Sequence, residues 1–271
     1  TWIGTDNGLF IADDKGHFVR YSHLTGNSTS LPNNVVWSVF RDNDDNIFVC
    51  TDHGISVAGI SSGYFFRQVG NTSSGEGGQD VSVMTFDHEG NLWLGGMNGL
   101  IKERPDQSVE RWYKSDSGPS DMRLAHNKIR NLYDDGSGMW AVSDGGLDRI
   151  DRRSGRVRHF IIKEPSGRYA SNWMYNISED RFGRLWLGTY SGVIVVDKAS
   201  LLSSADNTYT AENHYYHESE PAISGNVVSD LAVTEDFAAV LTGNSVDMIS
   251  LADGSVSYVP LPEGESAFTM E

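Results

Sequence analysis

Cysteine is nearly absent from the chain, because Cys50 is the only one among 271 residues. A single thiol excludes an internal disulfide and a metal cluster held by several thiolates. Proline is also scarce, with 7 residues beside 29 glycines, a balance that suits many tight turns better than disorder. No apolar run approaches the roughly 18 residues of a membrane-spanning helix. We therefore predict no membrane insertion by this stretch of chain.

Positively charged residues are also scarce. Lys and Arg number 21 against 37 Asp and Glu, giving a formal net charge of −16. Nucleic-acid phosphates require a basic face, so we predict that this chain binds no nucleic acid. The sequence also lacks a nucleophile elbow, a zinc-binding HExxH motif and a phosphate loop. We predict no catalytic residue, metal or cofactor, although a catalytic site assembled from distant loops stays open as an alternative.

One phrase recurs along the chain. "GRLWLGTYSGVIVVD" (Gly183–Asp197) matches "GNLWLGGMNGLIKE" (Gly90–Glu103) and "SGMWAVSDGGLDRID" (Ser137–Asp151). The copies are spaced so that large aromatic residues fall into one column: Trp2, Phe48, Trp93, Trp140 and Trp186. A repeat of 45 to 47 residues is typical of stacked supersecondary units. We interpret this column as core, since Trp is well suited to fill the space between facing sheets.

Each repeat divides into four short strands. The first follows an Asn, the second carries the aromatic of the column, the third follows a Gly, and the fourth ends in an aromatic. The fourth-strand aromatics are Tyr21, Phe66, Trp112, Phe160, Tyr216 and Tyr258. Turns rich in Asp and Gly separate the first and second strands, as hairpin connections require. Four strands per unit predict an all-β fold, a β-propeller of four-stranded antiparallel blades.

The blade boundaries follow from the repeat. We predict one propeller domain over 1–271, with blades at about 1–25 plus 265–271, 32–70, 79–114, 126–162, 171–218 and 225–260, and an insertion at 198–213. The first blade lacks its first strand, which "ESAFTME" (Glu265–Glu271) fits, so that both chain ends would close a six-bladed ring. The alternative is a fragment of a seven-bladed propeller. Because the chain opens inside a repeat, we expect it to be a piece of a longer protein.

The combined pattern resembles a known family. "NWMYNISEDRFGRLWLGTYSGVIVVD" (Asn172–Asp197) is similar to the two-component regulator propeller repeat. That resemblance implies the periplasmic sensor region of a hybrid two-component system of gut Bacteroidetes, part of an inner-membrane receptor. It also implies oligosaccharide signals, contacts with other domains of the same receptor, and a homodimer in the full-length protein. Phe48 and Cys50 depart from the Trp and Gly expected at their positions.

Candidate ligand residues lie in the loops that vary between repeats and on the first strands. Sugars bind to aromatic faces together with planar polar groups. The candidates chosen on this basis are Trp37, Arg123, His126, Arg130, Arg168, Tyr169, Trp173, Tyr175 and Tyr190. Trp37, Arg130 and Tyr175 share one first-strand column, so we expect them to face the same region.

The function predicted from the sequence is that of a sensor. It would bind an oligosaccharide or a partner domain and pass a conformational bias to a kinase encoded elsewhere in the protein. Two alternatives stay open: a carbohydrate-active propeller enzyme, such as a polysaccharide lyase or hydrolase, and a structural propeller that only spaces or dimerises a receptor.

Overall fold

The computed structural model describes residues 2–12, 17–25, 27, 29–41, 46–59, 67–69, 81–105, 108–243 and 245–260. Within these ranges the chain is almost entirely β-structure, with one short α-helix and one 3₁₀ turn at Ser120–Met122. Each antiparallel sheet contacts the next one along the chain. The predicted all-β architecture is confirmed.

The first three sheets take up the N-terminal half. The first contains β1 (Trp2–Thr5), β2 (Gly8–Ala12) and β3 (Phe18–Tyr21). The second contains β4 (Val36–Arg41), β5 (Asn46–Thr51), β6 (Gly54–Gly59) and β7 (Arg67–Val69). The third contains β8 (Val81–Phe86), β9 (Leu92–Gly96), β10 (Gly99–Glu103) and β11 (Val109–Tyr113).

The last three sheets repeat the same order. The fourth contains β12 (Ile129–Asp134), β13 (Gly138–Ser143), β14 (Gly146–Asp151) and β15 (Val157–Lys163). The fifth contains β16 (Met174–Glu179), β17 (Arg184–Thr189), β18 (Gly192–Asp197) and β20 (Asn213–Tyr215). The sixth contains β21 (Asp230–Val233), β22 (Phe237–Thr242), β23 (Ser245–Ser250) and β24 (Val256–Pro260). The predicted closing strand at 265–271 lies outside the described residues.

The segment predicted as an insertion forms local structure of its own. It contains α1 (Lys198–Ser203), whose N-terminus is capped by the Asp197 carboxylate accepting the Ser200 N–H, and then β19 (Thr208–Thr210). β19 pairs in parallel with β15 and so adds a fifth strand to the fourth sheet. The extra residues of the fifth repeat therefore extend the preceding sheet.

The column of large aromatics forms the packing between sheets. Trp93, Trp140 and Trp186 are at most 2% exposed, as is Phe48. Trp140 packs with Met174 and other apolar residues of the fifth sheet, and Trp186 packs with Val228 of the sixth. The prediction that this column is core is confirmed at these four positions, where truncation to Ala typically costs about 3–5 kcal/mol, while Trp2 is only partly buried.

Aromatics from the fourth strands pack on the same Trp residues, but they are not always the aromatics that the repeat aligns. Tyr113 lies 5.9 Å from Trp93, and Tyr215 lies 6.1 Å from Trp186, both as stacked rings. Trp112 and Tyr216, the aromatics that mark these two strand ends in the repeat, are the sequence neighbours of the residues that stack. Because alternate strand residues point to opposite faces, a shift of one residue decides which ring is buried.

An Asp organises the turn between first and second strands in three sheets. The Asp180 carboxylate accepts the N–H groups of Phe182 and Arg184 at 2.9 and 3.0 Å, and the indole N–H of Trp186 at 2.9 Å. Asp87 and Asp135 accept the indole N–H of Trp93 and Trp140 in the same way, at 2.9 and 2.8 Å. The turn and the core Trp are thus tied by one side chain.

The Gly after the second hairpin turn has a left-handed backbone in five sheets, with φ between 106° and 114°. At Gly192 an added Cβ would overlap the carbonyl oxygen of Tyr215 on the paired strand, and the same holds at Gly99 with Tyr113. Only Gly combines this φ with so close an approach. In the described part of the chain, no helix is long and apolar enough to cross a membrane.

Candidate functional site

Every first strand from the second to the fifth sheet carries a β-bulge at the same place. The register shifts between Val36 and Ser38, and likewise at the equivalent positions of β8, β12 and β16. The extra residues, here named the bulge residues, are Trp37, Ser82, Arg130 and Tyr175. Bulges re-aim side chains and are common beside functional sites.

The bulge residues lie beside the turns that join second and third strands. Asp52 N–H donates to the Val35 carbonyl at 3.0 Å, and Tyr190 N–H donates to the Trp173 carbonyl at 3.0 Å. Each of these bonds links the turn to the residues just before the first strand. One end of the sheets therefore presents the bulge residues and these turns together.

Arg130 and Tyr175 meet across the boundary between the fourth and fifth sheets. The Arg130 guanidinium lies over the Tyr175 ring, 5.0 Å from its centroid. Its Nε and Nη2 donate to the two Asp144 carboxylate oxygens at 2.7 and 3.2 Å, and the Lys128 ammonium lies 3.5 Å from the same carboxylate. The salt bridge holds the guanidinium in place for stacking and compensates its charge.

The pKa of Asp144 reflects this arrangement. Partial burial on its own would raise the pKa, but the hydrogen bond and charge of Arg130, together with Lys128, outweigh it and leave the pKa below the ordinary value. Asp144 therefore stays ionised at neutral pH, and the Arg130 charge stays matched.

A cavity of about 470 Å³ opens at this pair. We name it the polar cavity; its lining residues are Ser82, Arg130, Tyr175, Asn176, Val227, Val228, Ser229 and Asp230. Asn176 is held by Asn131, whose amide donates to it at 3.4 Å, and itself donates to the Ser229 carbonyl at 3.2 Å. These bonds connect β12, β16 and the residue just before β21, and so join three successive sheets at the cavity wall. The volume is in the range of small-ligand sites.

A second cavity, of about 430 Å³, lies between the second and third sheets. We name it the apolar cavity; its lining residues are Trp37, Ser38, Cys50, Thr51, Asp52, Ile55, Val81, Ser82, Val83, Met84 and Met97. Ser82 lines both cavities, so the two are neighbours.

Trp173 and Tyr190 form an exposed aromatic pair at the same end of the fifth sheet. Their rings meet edge to face with centroids 5.4 Å apart, and about half of each side chain is exposed. Neither lines the polar cavity, but Trp173 precedes Tyr175 by two residues. The pair presents an aromatic surface beside that cavity.

The other predicted ligand residues lie in connecting loops outside both cavities. Tyr169 is 73% exposed beneath the Lys163 ammonium, and Arg168 pairs with Glu164 at 3.2 Å. Arg123 Nε donates to the Gly118 carbonyl at 3.1 Å, and His126 Nδ1 accepts the Lys128 N–H at 3.0 Å. The four loop residues Arg123, His126, Arg168 and Tyr169 thus have local partners. The other five candidates lie together at one end of the sheets: Trp37, Arg130, Trp173, Tyr175 and Tyr190.

Sequence reasoning missed two residues of this arrangement, Ser82 and Asp144. Ser82 occupies the bulge position in β8 and was overlooked because a Ser carries no aromatic or charged signal. Asp144 is acidic and was not chosen, although it positions Arg130. No group of three or more His, Cys, Asp or Glu side chains is arranged to hold a metal ion among the described residues.

Comparison with known proteins agrees with this architecture. The model of the two component regulator propeller family matches residues 30–53 and 168–191, the first two strands and preceding loops of the second and fifth repeats. The chain therefore carries the two-component regulator propeller repeat. No curated protein matches the chain.

Solved structures give the same result for this propeller. Two structures of the extracellular domain of one B. thetaiotaomicron protein, described as a proposed one component system and as a proposed hybrid two component system, are 31% and 30% identical. Each covers 95% of this chain, with TM-scores of 0.62 and 0.63. This chain covers only 36% and 35% of theirs, about a third of their length. It is a propeller domain like the extracellular regions of hybrid two-component systems.

Propeller enzymes share the fold as well. Virginiamycin B lyase from Staphylococcus aureus is 13% identical, with a TM-score of 0.60 over 96% of this chain and 80% of the lyase. At this identity the likeness shows the fold alone.

Proposed function

We propose that this propeller is a ligand-sensing domain of a periplasmic receptor that signals to a kinase, and that it has no catalytic activity of its own. The observation that carries the proposal is the stacked Arg130–Tyr175 pair in a cavity built by bulges on successive first strands. An aromatic face, a fixed guanidinium and amides are the groups that bind sugar hydroxyls and C–H surfaces. The relatives, described as extracellular domains of signalling systems, support the same role.

The charge of the polar cavity favours a neutral oligosaccharide. Arg130 is compensated by Asp144, and Asp230 adds a carboxylate to the lining. With a net charge of −16 on the whole chain, an anionic ligand would meet repulsion rather than steering. The receptor's other domains, and a second copy of it in the full-length protein, are the partners that would carry the signal.

Calorimetric titration against matched neutral and uronic-acid oligosaccharides tests the proposal, with each mixture then examined for cleavage. We expect saturable binding of a neutral oligosaccharide without turnover, and weaker or no binding of the uronic-acid counterpart. Cleavage of an oligosaccharide would show that the propeller is an enzyme and would contradict the sensor proposal. Failure of every oligosaccharide to bind would leave the propeller with a spacing or dimerising role.

A further inference from the structure

The apolar cavity differs in chemistry from the polar cavity. Its walls come from Ile55, Val81, Val83, Met84 and Met97, with the Trp37 indole at the opening, 70% exposed. Methionine side chains are flexible and polarisable, so they adapt to apolar groups of different shape. These apolar walls suit an apolar body, while the polar part of the lining is made of the Ser38, Thr51 and Ser82 hydroxyls and the Asp52 carboxylate.

One charge stands at this cavity. Among the described lining residues, Asp52 is the only Asp, Glu, Lys, Arg or His. Its carboxylate is about half exposed; one oxygen lies 3.4 Å from the Trp37 indole nitrogen and the other 3.4 Å from Nδ1 of the exposed His53. The Asp52 carboxylate and the N–H edge of the exposed Trp37 indole therefore lie side by side at the opening.

Cys50 lies in the wall of this cavity and is partly buried. Burial raises the pKa of its thiol, and this outweighs the opposing hydrogen bond with Ser38. The thiol stays neutral and adds a soft apolar surface.

We propose that the apolar cavity binds an organic cation with an apolar body, such as an aryl-alkyl amine. The apolar body enters between Val83, Met84 and Ile55, and the ammonium group pairs with Asp52 and lies against the Trp37 face. The acidic chain as a whole attracts such a cation. This site is independent of the oligosaccharide proposal, because it uses another cavity and the opposite kind of ligand.

The test uses three probes of one shape: phenethylamine, phenethyl alcohol and hydrocinnamate, which are cationic, neutral and anionic. Because Cys50 is the only cysteine, the rate of its modification by methyl methanethiosulfonate reports occupancy of the cavity directly. We expect phenethylamine to bind and to slow modification, the alcohol to bind about tenfold more weakly, and the anion to give no protection.

Asp52→Asn removes the charge and keeps the shape of the side chain, and we expect it to weaken the binding of phenethylamine about tenfold. Asp6→Asn is the matched control, since Asp6 holds the equivalent position in the first sheet. Both turns have the same hydrogen bond, from Thr5 to Gly8 and from Thr51 to Gly54, at 2.8 Å. Unchanged modification rates without probe will show that both variants keep the fold around Cys50.

Three results would overturn the proposal: no protection by phenethylamine, equal protection by hydrocinnamate, or equal weakening by Asp6→Asn and Asp52→Asn. The last would assign the effect to net charge rather than to the cavity. Oligosaccharide binding at Tyr175 is measured separately, so either proposal can fail without the other.

Discussion

The indole N–H of Trp186 donates a 2.9 Å hydrogen bond to Asp180, whose side chain is fully buried. Burial on its own would raise the pKa of Asp180, but bonds from Trp186 and from the backbone and guanidinium of Arg184 together lower it. The carboxylate is therefore ionised inside the domain and holds a turn, a strand and a core ring at once.

A double-mutant cycle measures this bond. Asp180→Asn and Trp186→Phe should each destabilise the domain, and their effects should be less than additive, with a coupling of about 1–2 kcal/mol. Chemical denaturation gives the free energies of unfolding. Trp173→Phe is the control, because Trp173 is half exposed and should change stability by less than about 0.5 kcal/mol. Strict additivity would show that the bond adds no stability of its own.

The hydrogen bond between His159 and Asp148 predicts that the stability of the domain falls as the pH rises. The hydrogen bond with the buried Asp148 carboxylate, 3.1 Å from Nδ1, raises the pKa of His159 above its ordinary 6.5 despite opposing desolvation. The stability that protonated His159 contributes is fully present below pH 6.5. It is lost as the pH rises through the raised pKa of His159 in the folded state. The native chain should have a larger free energy of unfolding than His159→Gln at low pH. This difference should shrink as the pH rises from 6.5 through the folded-state pKa.

Unfolding at a series of pH values measures this difference. In an Asp148→Asn background, His159→Gln should no longer change the shape of the pH profile. A persistent change there would assign the effect to another partner of His159.

Gly192 and Gly167 separate backbone strain from steric overlap. Both have positive φ, 106° and 84°, but only at Gly192 would a Cβ overlap another atom, the Tyr215 carbonyl oxygen. Gly167→Ala should cost about 1–2 kcal/mol from strain alone. Gly192→Ala should cost clearly more, because β18 must move away from its partner strand. Equal losses in denaturation experiments would contradict the structure at this turn.

Tyr175 and Tyr169 test the assignment of the polar cavity. Tyr175→Ala should weaken any oligosaccharide that binds there by about tenfold, the usual scale for a lost aromatic face of 1–1.5 kcal/mol. Tyr169→Ala should leave the affinity unchanged, since Tyr169 lies outside both cavities. Titration calorimetry on both variants decides the point, and a larger loss from Tyr169→Ala would move the site to the loop around it.

Much of the fold was predictable because a repeat exposes its own periodicity. The recurrence of Trp93, Trp140 and Trp186 predicted the core column and the strands around it. The sequence also contains the Asp before each of these Trp residues. Its role as acceptor for the indole was not recognised, because the Asp-rich turns were interpreted only through their tolerance of positive φ.

The site was predictable only in part. Trp37, Arg130 and Tyr175 were expected to share a face, and the bulges place them at equivalent positions of the second, fourth and fifth sheets. A bulge is a local slip in strand pairing that depends on the partner strand, so residue types alone do not indicate it. For the same reason Ser82 went unnoticed.

The sequence by itself determined the repeat, the strands within each unit and the burial of the Trp column, since all three are set by local periodicity and hydrophobicity. Only the tertiary structure decided which of two neighbouring aromatics, Tyr113 or Trp112, stacks on Trp93. It also decided that β19 joins the fourth sheet and that Asp144 compensates Arg130. These relationships depend on pairing register and on the distance between side chains from different strands, and neither is encoded in residue order within one repeat.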